Sequence, residues 1–262
     1  MSPAEAYQPD RSLKGKIRRR VVRLAHRRPL ATEPQSPMVT FSFDDAPLSA
    51  AEAGTALLET RGARGTFYVS AGLAGTDGPM GRYAEAGDYQ RLAAAGHEIA
   101  CHTFGHLDCG RASGAQAKAD AERNLAVLAQ WETGPVTSFA YPYGDVAAGP
   151  KQALAPGYAT LRALHHGVIT AGTDLNQTPA VGIEGADGEA IASRWLDEAL
   201  ARKAWLILYT HDVRQAPSPW GCTPEALARL IDRARRGGAE IVTAAQGAQR
   251  LGVGVRGAAQ KA

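Results

Sequence analysis

Two carboxylates stand side by side at Asp44 and Asp45 in the stretch "VTFSFDDAPLSA". Like charges at adjacent positions repel, and neither is favoured in a strand. Taken alone, the pair reads as a turn that caps the next helix. Other stretches change that reading. His102 and His106 are four apart in "CHTFGH", "AYPYGD" holds a Pro-Tyr-Gly run around Tyr143, and "WLILYT" leads into His211 and Asp212. These are the groups a hydrolase needs. Two imidazoles on one helical turn face the same side. Joined by one carboxylate, they form a triad that holds a transition metal and leaves positions open for water and substrate. One aspartate of the pair would bind the metal, and its neighbour would take a proton from the water.

Each of these groups falls where a strand should end. Val39, Phe41 and Phe43 alternate with Thr40 and Ser42 as in a half-buried strand over 38–43. Further strands are predicted over 65–69, 97–101, 138–141, 158–161, 168–170, 205–210 and 241–243. Helices are predicted over 50–59, 88–95, 115–131, 188–202 and 223–237, the last with Thr223 as cap and Pro224 at its first position. Strands that alternate with helices imply parallel pairing and right-handed crossovers. The expected fold class is α/β, a distorted (β/α) barrel with about seven parallel strands, whose functional groups collect where strands end and loops begin.

The chain has 262 residues, 45% of them hydrophobic, enough for a sizeable core. Its net charge of +3 hides an asymmetry. Nine of the 29 basic residues lie between Arg11 and Arg28, with no acid among them; the other 20 face 26 acidic residues, so the rest of the chain is net negative by six. Three domains of the sequence follow: a basic amphipathic segment over 1–37, a barrel over 38–250 and a flexible tail over 251–262. Leu13, Ile17, Val21 and Leu24 fall on one helical face of the basic segment. That stripe can lie on an anionic membrane, pack on its own domain, or meet a second subunit in a homodimer. The segment lacks the interleaved aromatics of a nucleic-acid binder, so nucleic acid is not expected as a partner. Arginines interrupt the apolar run of roughly 7–15 residues that a secretory signal needs. An odd count of three cysteines argues against a disulfide scaffold. We expect a cytoplasmic protein that can work at the inner face of the membrane.

"TFSFDDAP", "HTFGH", "AYPYG" and "ILYTHDV" occur in the order and rough spacing of the four motifs of the carbohydrate esterase family 4 polysaccharide deacetylases, and the chain resembles that family from about Val39 to Thr243. Within it, the chain looks most like the cytoplasmic deacetylases of exopolysaccharide and holdfast synthesis. The resemblance implies that Asp45, His102 and His106 bind a metal, usually zinc, with cobalt or another divalent ion as substitute. It makes Asp44 the general base, His211 the general acid, and the Tyr143 N–H a holder of the oxyanion. It implies hydrolytic N-deacetylation of N-acetylglucosamine-type residues, in an exopolysaccharide or its polyprenyl-linked precursor. The alternatives are a deformylase of a lipid-linked amino sugar and an inactive glycan-binding member.

The chain also departs from the family. Ala140 stands where many members have an arginine that steadies the base. Arg162, beyond the next strand, could do that job from another direction, and we group it with Tyr143 and Asp174 as residues facing the substrate. "GTDLNQ" offers Asp174 as the carboxylate that tunes the catalytic histidine, with Asp212 as its rival. Tyr209 replaces an apolar residue, often Leu, that lines the acetyl pocket.

Overall fold

Strand β1 (Met38–Asp44) is buried along its whole length, not on one face only. The computed structural model, which describes residues 13–255, shows why. Val39, Phe41 and Phe43 pack outward among Leu58, Leu196, Leu227 and Ile231 of the surrounding helices. Thr40, Ser42 and Asp44 point inward, into the interior of a curled sheet rather than into water. There Thr40 accepts from the Trp205 indole at 2.9 Å and Ser42 donates to the Leu208 carbonyl at 3.0 Å. Inward polar residues therefore give the alternation of a half-buried strand to one that is covered on both sides.

The remaining strands follow in chain order: β2 (Thr66–Val69), a hairpin of β3 (Asp77–Gly78) and β4 (Gly81–Arg82), β5 (Glu98–Cys101), β6 (Ser138–Ala140), β7 (Thr160–Arg162), β8 (Val181–Gly182), β9 (Trp205–Thr210) and β10 (Glu240–Ile241). Seven of them run in the order β7-β6-β5-β2-β1-β9-β8, all parallel, and β10 pairs with the start of β1. The sheet curls into an incomplete barrel. Its two edges are drawn together by one extended segment, in which Thr178 bridges to Arg162 of β7 while Val181 pairs with Leu208 of β9.

Helices cover the outside. They are α1 (Leu13–Leu24), α2 (Thr55–Glu59, entered through a π-helical turn Ala50–Gly54), α3 (Ala86–Ala94), α4 (Gly114–Gln130), α5 (Ala148–Leu154), α6 (Gly188–Arg202), α7 (Pro224–Arg236) and α8 (Ala244–Arg250). Among the described residues, no helix is long and apolar enough to cross a membrane. Thr223 caps α7 as its position implied, and Ser113 with Gln116 forms a reciprocal capping box on α4. The strand expected over 168–170 is absent; Ile169 makes a single antiparallel bridge to Trp205, and the true strand is Val181–Gly182. The three cysteines are free and buried.

The basic segment is tied to the barrel more closely than its composition suggested. Of the expected apolar stripe, Val21 and Leu24 are 57% and 76% exposed, and the side chains of Leu13 and Ile17 lie outside those described. It is Val22 that is buried, in a cluster with Cys109, Phe139 and Tyr141. Helix α1 has turned toward the protein because polar groups anchor it. Arg18 pairs with Asp145, and the Lys151 ammonium donates to the Val22 carbonyl at 2.8 Å. Beyond α1, Pro29 bridges to Asp174, Leu30 is buried, and the Arg28 guanidinium reaches the carbonyls of Tyr158 and Ala159.

Lys151 and Asp174 hold this corner together. The ammonium is fully buried and 2.7 Å from the Asp174 carboxylate, which also accepts from the backbone of Arg28 and Asn176. Burial pulls the Lys151 pKa down, against the pull of Asp174. Removing one partner of such a pair leaves a buried charge uncompensated, which typically costs about 3–5 kcal/mol. Asp174→Ala should therefore lower the thermal midpoint sharply in a melting experiment. A midpoint close to that of the parent would show that the corner contributes little to stability.

Candidate active site

Asp44 ends β1, and Asp45 follows it with φ 57°. Successive side chains on a strand point to opposite faces. The left-handed turn at Asp45 and Ala46, φ 47°, breaks that alternation, so both carboxylates line one cavity of about 490 Å³. The cavity opens at the C-terminal ends of the strands. His102 and His106 after β5, Tyr143 after β6, Glu184 after β8, and Tyr209 with His211 at the end of β9 also line it.

The two histidines are not on a helical turn. Thr103 and His106 have φ of 61° and 53°, a conformation uncommon for any residue but glycine and an outlier for a β-branched one. The loop is held by its own polar groups. Thr103 accepts from the Leu107 N–H at 2.8 Å, and Asp120 of α4 accepts from the N–H groups of Phe104 and Gly105 at 2.7 and 3.0 Å. The result brings His102 Nε2 and His106 Nε2 to 3.8 and 3.4 Å from Asp45 Oδ1.

Asp44 faces the other way, toward a cation. Arg162 Nη2 lies 2.6 Å from each of its oxygens, and the guanidinium sits over the rings of Tyr68 and Tyr209, 4.8 and 5.1 Å from their centroids. Burial would push the Asp44 carboxyl up, but Arg162, with His102 and His211, holds it below the ordinary value. Arg162 is 1% exposed and is not part of the cavity lining; it meets Asp44 from within the barrel. Ala140 and Arg162 are register partners on β6 and β7. The guanidinium missing at position 140 thus arrives from the next strand at the same level.

His211 is held by a residue that pattern reading missed. Its Nδ1 lies 2.8 Å from Glu184 Oε1. Burial works against the imidazolium, but Glu184 and the charges of Asp44 and Asp45 raise its pKa to about 9. The expected tuner, Asp174, is instead bound to Lys151. Its rival, Asp212, accepts from the N–H and hydroxyl of Ser218 and pairs with Arg214, fastening the loop that brings Trp220 into the cavity. Glu184 sits just past a two-residue strand, and only the short apolar run "AVGI" before it could have pointed there. Burial and the nearby Glu184 carboxylate push the Tyr209 phenol well up, so it is neutral.

Asp45, His102 and His106 fit a divalent transition metal. All three ligand atoms lie within 4.8 Å of one another. With bonds of about 2.0–2.1 Å, the ligands of one tetrahedral ion stand roughly 3.3 Å apart, close to the separations from Asp45. Burial pushes both imidazoles down to about 4, so they are neutral donors. His102 Nδ1 donates to the Ala140 carbonyl at 2.8 Å, which leaves Nε2 as the free lone pair. Burial and the neighbouring Asp44 push the Asp45 carboxyl up, against His102 and His211. Its Oδ1 has no hydrogen-bond partner among the described residues. A carboxylate so placed is short of a cation.

Fold and site together define a parallel-barrel hydrolase with a buried imidazole–carboxylate cluster at its strand ends. Residues 31–157 match the family described as polysaccharide deacetylase. No curated protein matches its sequence. Solved structures share the fold. The Xyl-CE4 domain of a multidomain xylanase from the hindgut metagenome of Trinervitermes trinervoides is 19% identical, with 85% of this chain and 94% of that one covered at a TM-score of 0.60. A family 4 acetyl xylan esterase from Clostridium thermocellum, in complex with a cobalt ion, is 21% identical, with 86% and 96% covered at 0.58. The chitin deacetylase of the fungal pathogen Colletotrichum lindemuthianum is 17% identical, with 82% and 89% covered at 0.58.

The geometry separates the two aspartates by experiment. Asp45→Ala should purify with little divalent metal by elemental analysis. Asp44→Asn should retain metal at the parental stoichiometry, because its carboxylate is engaged by Arg162. Loss of metal from Asp44→Asn would exchange the two assignments.

Proposed function

We propose that the protein removes N-acetyl groups hydrolytically from N-acetylglucosamine-type residues of an exopolysaccharide or its lipid-linked precursor, using a divalent metal, zinc by the nature of the donors. The observation that carries this reading is the opposed setting of Asp44 and His211. One cavity holds a carboxylate kept ionised by Arg162 and an imidazole kept protonated by Glu184. Titratable groups whose environments drive their pKa values apart divide into base and acid.

Asp44 then takes a proton from the attacking water, and a C–O bond forms at the amide carbon. His211 gives its proton to the amide nitrogen as the C–N bond breaks, releasing acetate and a free amine. A metal held by Asp45, His102 and His106 would supply Lewis-acid charge at the carbonyl oxygen. Tyr143, with φ 59° at the cavity rim, is the candidate to offer its N–H to the same oxygen. The basic segment and the exposed Val21 and Leu24 favour a substrate or carrier at an anionic surface, where each basic residue contributes on the order of 1 kcal/mol.

Deformylation remains as a second reading because of Tyr209, whose ring takes space in the cavity beside Glu184. Mass spectrometry of products from N-acetyl and N-formyl glucosamine oligomers, with and without chelator, decides between them. We expect a loss of 42 mass units per event from the acetyl substrate and none after chelation, and Asp44→Asn should slow it by about 10²–10⁴-fold. Turnover confined to the formyl substrate would replace deacetylation by deformylation. Turnover of neither would remove the assignment.

The acid form of His211 exists below about 9 and is lost as pH rises through that value. The rate should therefore hold through neutral pH and fall on an alkaline limb near 9. Glu184→Gln should move that limb down toward the ordinary histidine range of about 6.5. An unmoved limb would take Glu184 out of its role.

A further inference from the structure

A second cleft lies on the far side of the loop that walls the active site. Leu164 lines the active-site cavity, and the next residues, His165 and His166, line the cleft together with Arg23, Leu24 and Arg27 from the end of α1 and the turn after it. Its volume is about 430 Å³. Two guanidinium groups and two imidazoles thus border one concavity. Among the described residues, neither Arg23 nor Arg27 has an acidic partner within ion-pair distance, whereas Arg61, Arg162, Arg229 and Arg233 each have one. Arg27 makes one bond, to the Gly172 carbonyl, and keeps other donors. His165 Nδ1 is buried with no partner among the described residues. The one carboxylate in the lining, Asp174, is already bound by the Lys151 ammonium and by the N–H groups of Arg28 and Asn176.

Unpaired guanidinium forks in a concavity match the several oxygens of a phosphate better than a single point charge does. The rim is apolar, with Leu24 76% exposed and Val21 57% exposed on the same helix. We propose that this cleft binds a phosphate or diphosphate group borne by the substrate, so that the sugar is presented to the cavity across Leu164 while its phosphate is held by Arg23, Arg27 and His165. The proposal rests on the deacetylase reading for what the phosphate is attached to, and on the cleft alone for the binding of phosphate.

Calorimetric titration of the full-length protein separates the two. Inorganic pyrophosphate and a short-chain prenyl diphosphate should both bind at low salt, and Arg23→Gln/Arg27→Gln should weaken both by tenfold or more. Tighter binding of the prenyl compound would identify a lipid carrier. Equal binding of the two would point to a soluble diphosphate such as that of a nucleotide sugar. No binding of either to the parent protein, or binding unchanged in the double variant, would overturn the proposal. In turnover, the double variant should lose at least tenfold in kcat/KM on a diphosphate-linked N-acetylglucosamine and keep its rate on an oligosaccharide without phosphate. An equal loss on both substrates would overturn the positioning role. If neither substrate is deacetylated by the parent protein, the function above fails, while the titration still decides the cleft.

Discussion

The contact between Arg162 and Asp44 is the constraint around which the molecule is organised. Their strands, β7 and β1, are four places apart in the sheet order, yet the side chains are in direct hydrogen-bond contact. That is possible only if the sheet curls until its far strand faces its centre. The pair lies out of water, so its formation joins closure of the barrel to the charge state of Asp44. Breaking such a pair by deleting one partner is costly, because the remaining charge has no solvent to return to. Tyr68 and Tyr209 fix the guanidinium plane from their own strands, so β2 and β9 take part in the same arrangement.

Around that pair the backbone is held in conformations the chain would not choose freely. Asp45, Ala46, Thr103, His106 and Tyr143 all have positive φ, and all lie in the loops that build the cavity. Each such residue costs on the order of 1–3 kcal/mol. The cost is offset by rigid neighbours: Asp120 receives the N–H groups of the 102–107 loop, and β1 is buried on both faces up to Asp44. The left-handed turn at Asp45 is also what resolves the adjacent carboxylates. It sends one toward Arg162 and the other toward two neutral imidazoles, so the two like charges answer to different partners.

Residue patterns reveal the parts of this design that are long or periodic. β1 and β9 are legible from alternation and from an unbroken apolar run, and α6 from its 3.6 period; with them came Asp44, Asp45 and His211. β8 is two residues long and follows Pro179, too short for any period to register, and Glu184 just beyond it carries no pattern of its own. Helix α5, "AGPKQAL", carries Gly and Pro in its first turn, and α8, "AAQGAQR", has almost no apolar side chains to repeat. Asp174 in "GTDLNQ" is the carboxylate that the family resemblance offers as tuner of the histidine. Nothing local in the sequence says that Lys151, 23 residues earlier, would claim it. Which face of α1 meets the barrel is hidden for a similar reason. Its orientation is set by Asp145 and Lys151, partners far along the chain, and not by its own apolar stripe.

Position 140 shows how a site can keep a charge while moving the residue that carries it. The resemblance to the deacetylases places a base-steadying arginine there, on β6, and this chain has alanine. In a parallel sheet, register partners on neighbouring strands present their side chains to the same face. Ala140 and Arg162 are such partners, so an arginine on β7 enters the same interior at the same height. The exchange also requires room, and the methyl group at 140, packed with Tyr68 and Ala100, leaves it. The quantity that matters is then the distance between a guanidinium and the carboxylate at the end of β1. Either strand can satisfy it, provided that the other carries a small side chain and that the curl of the sheet is maintained.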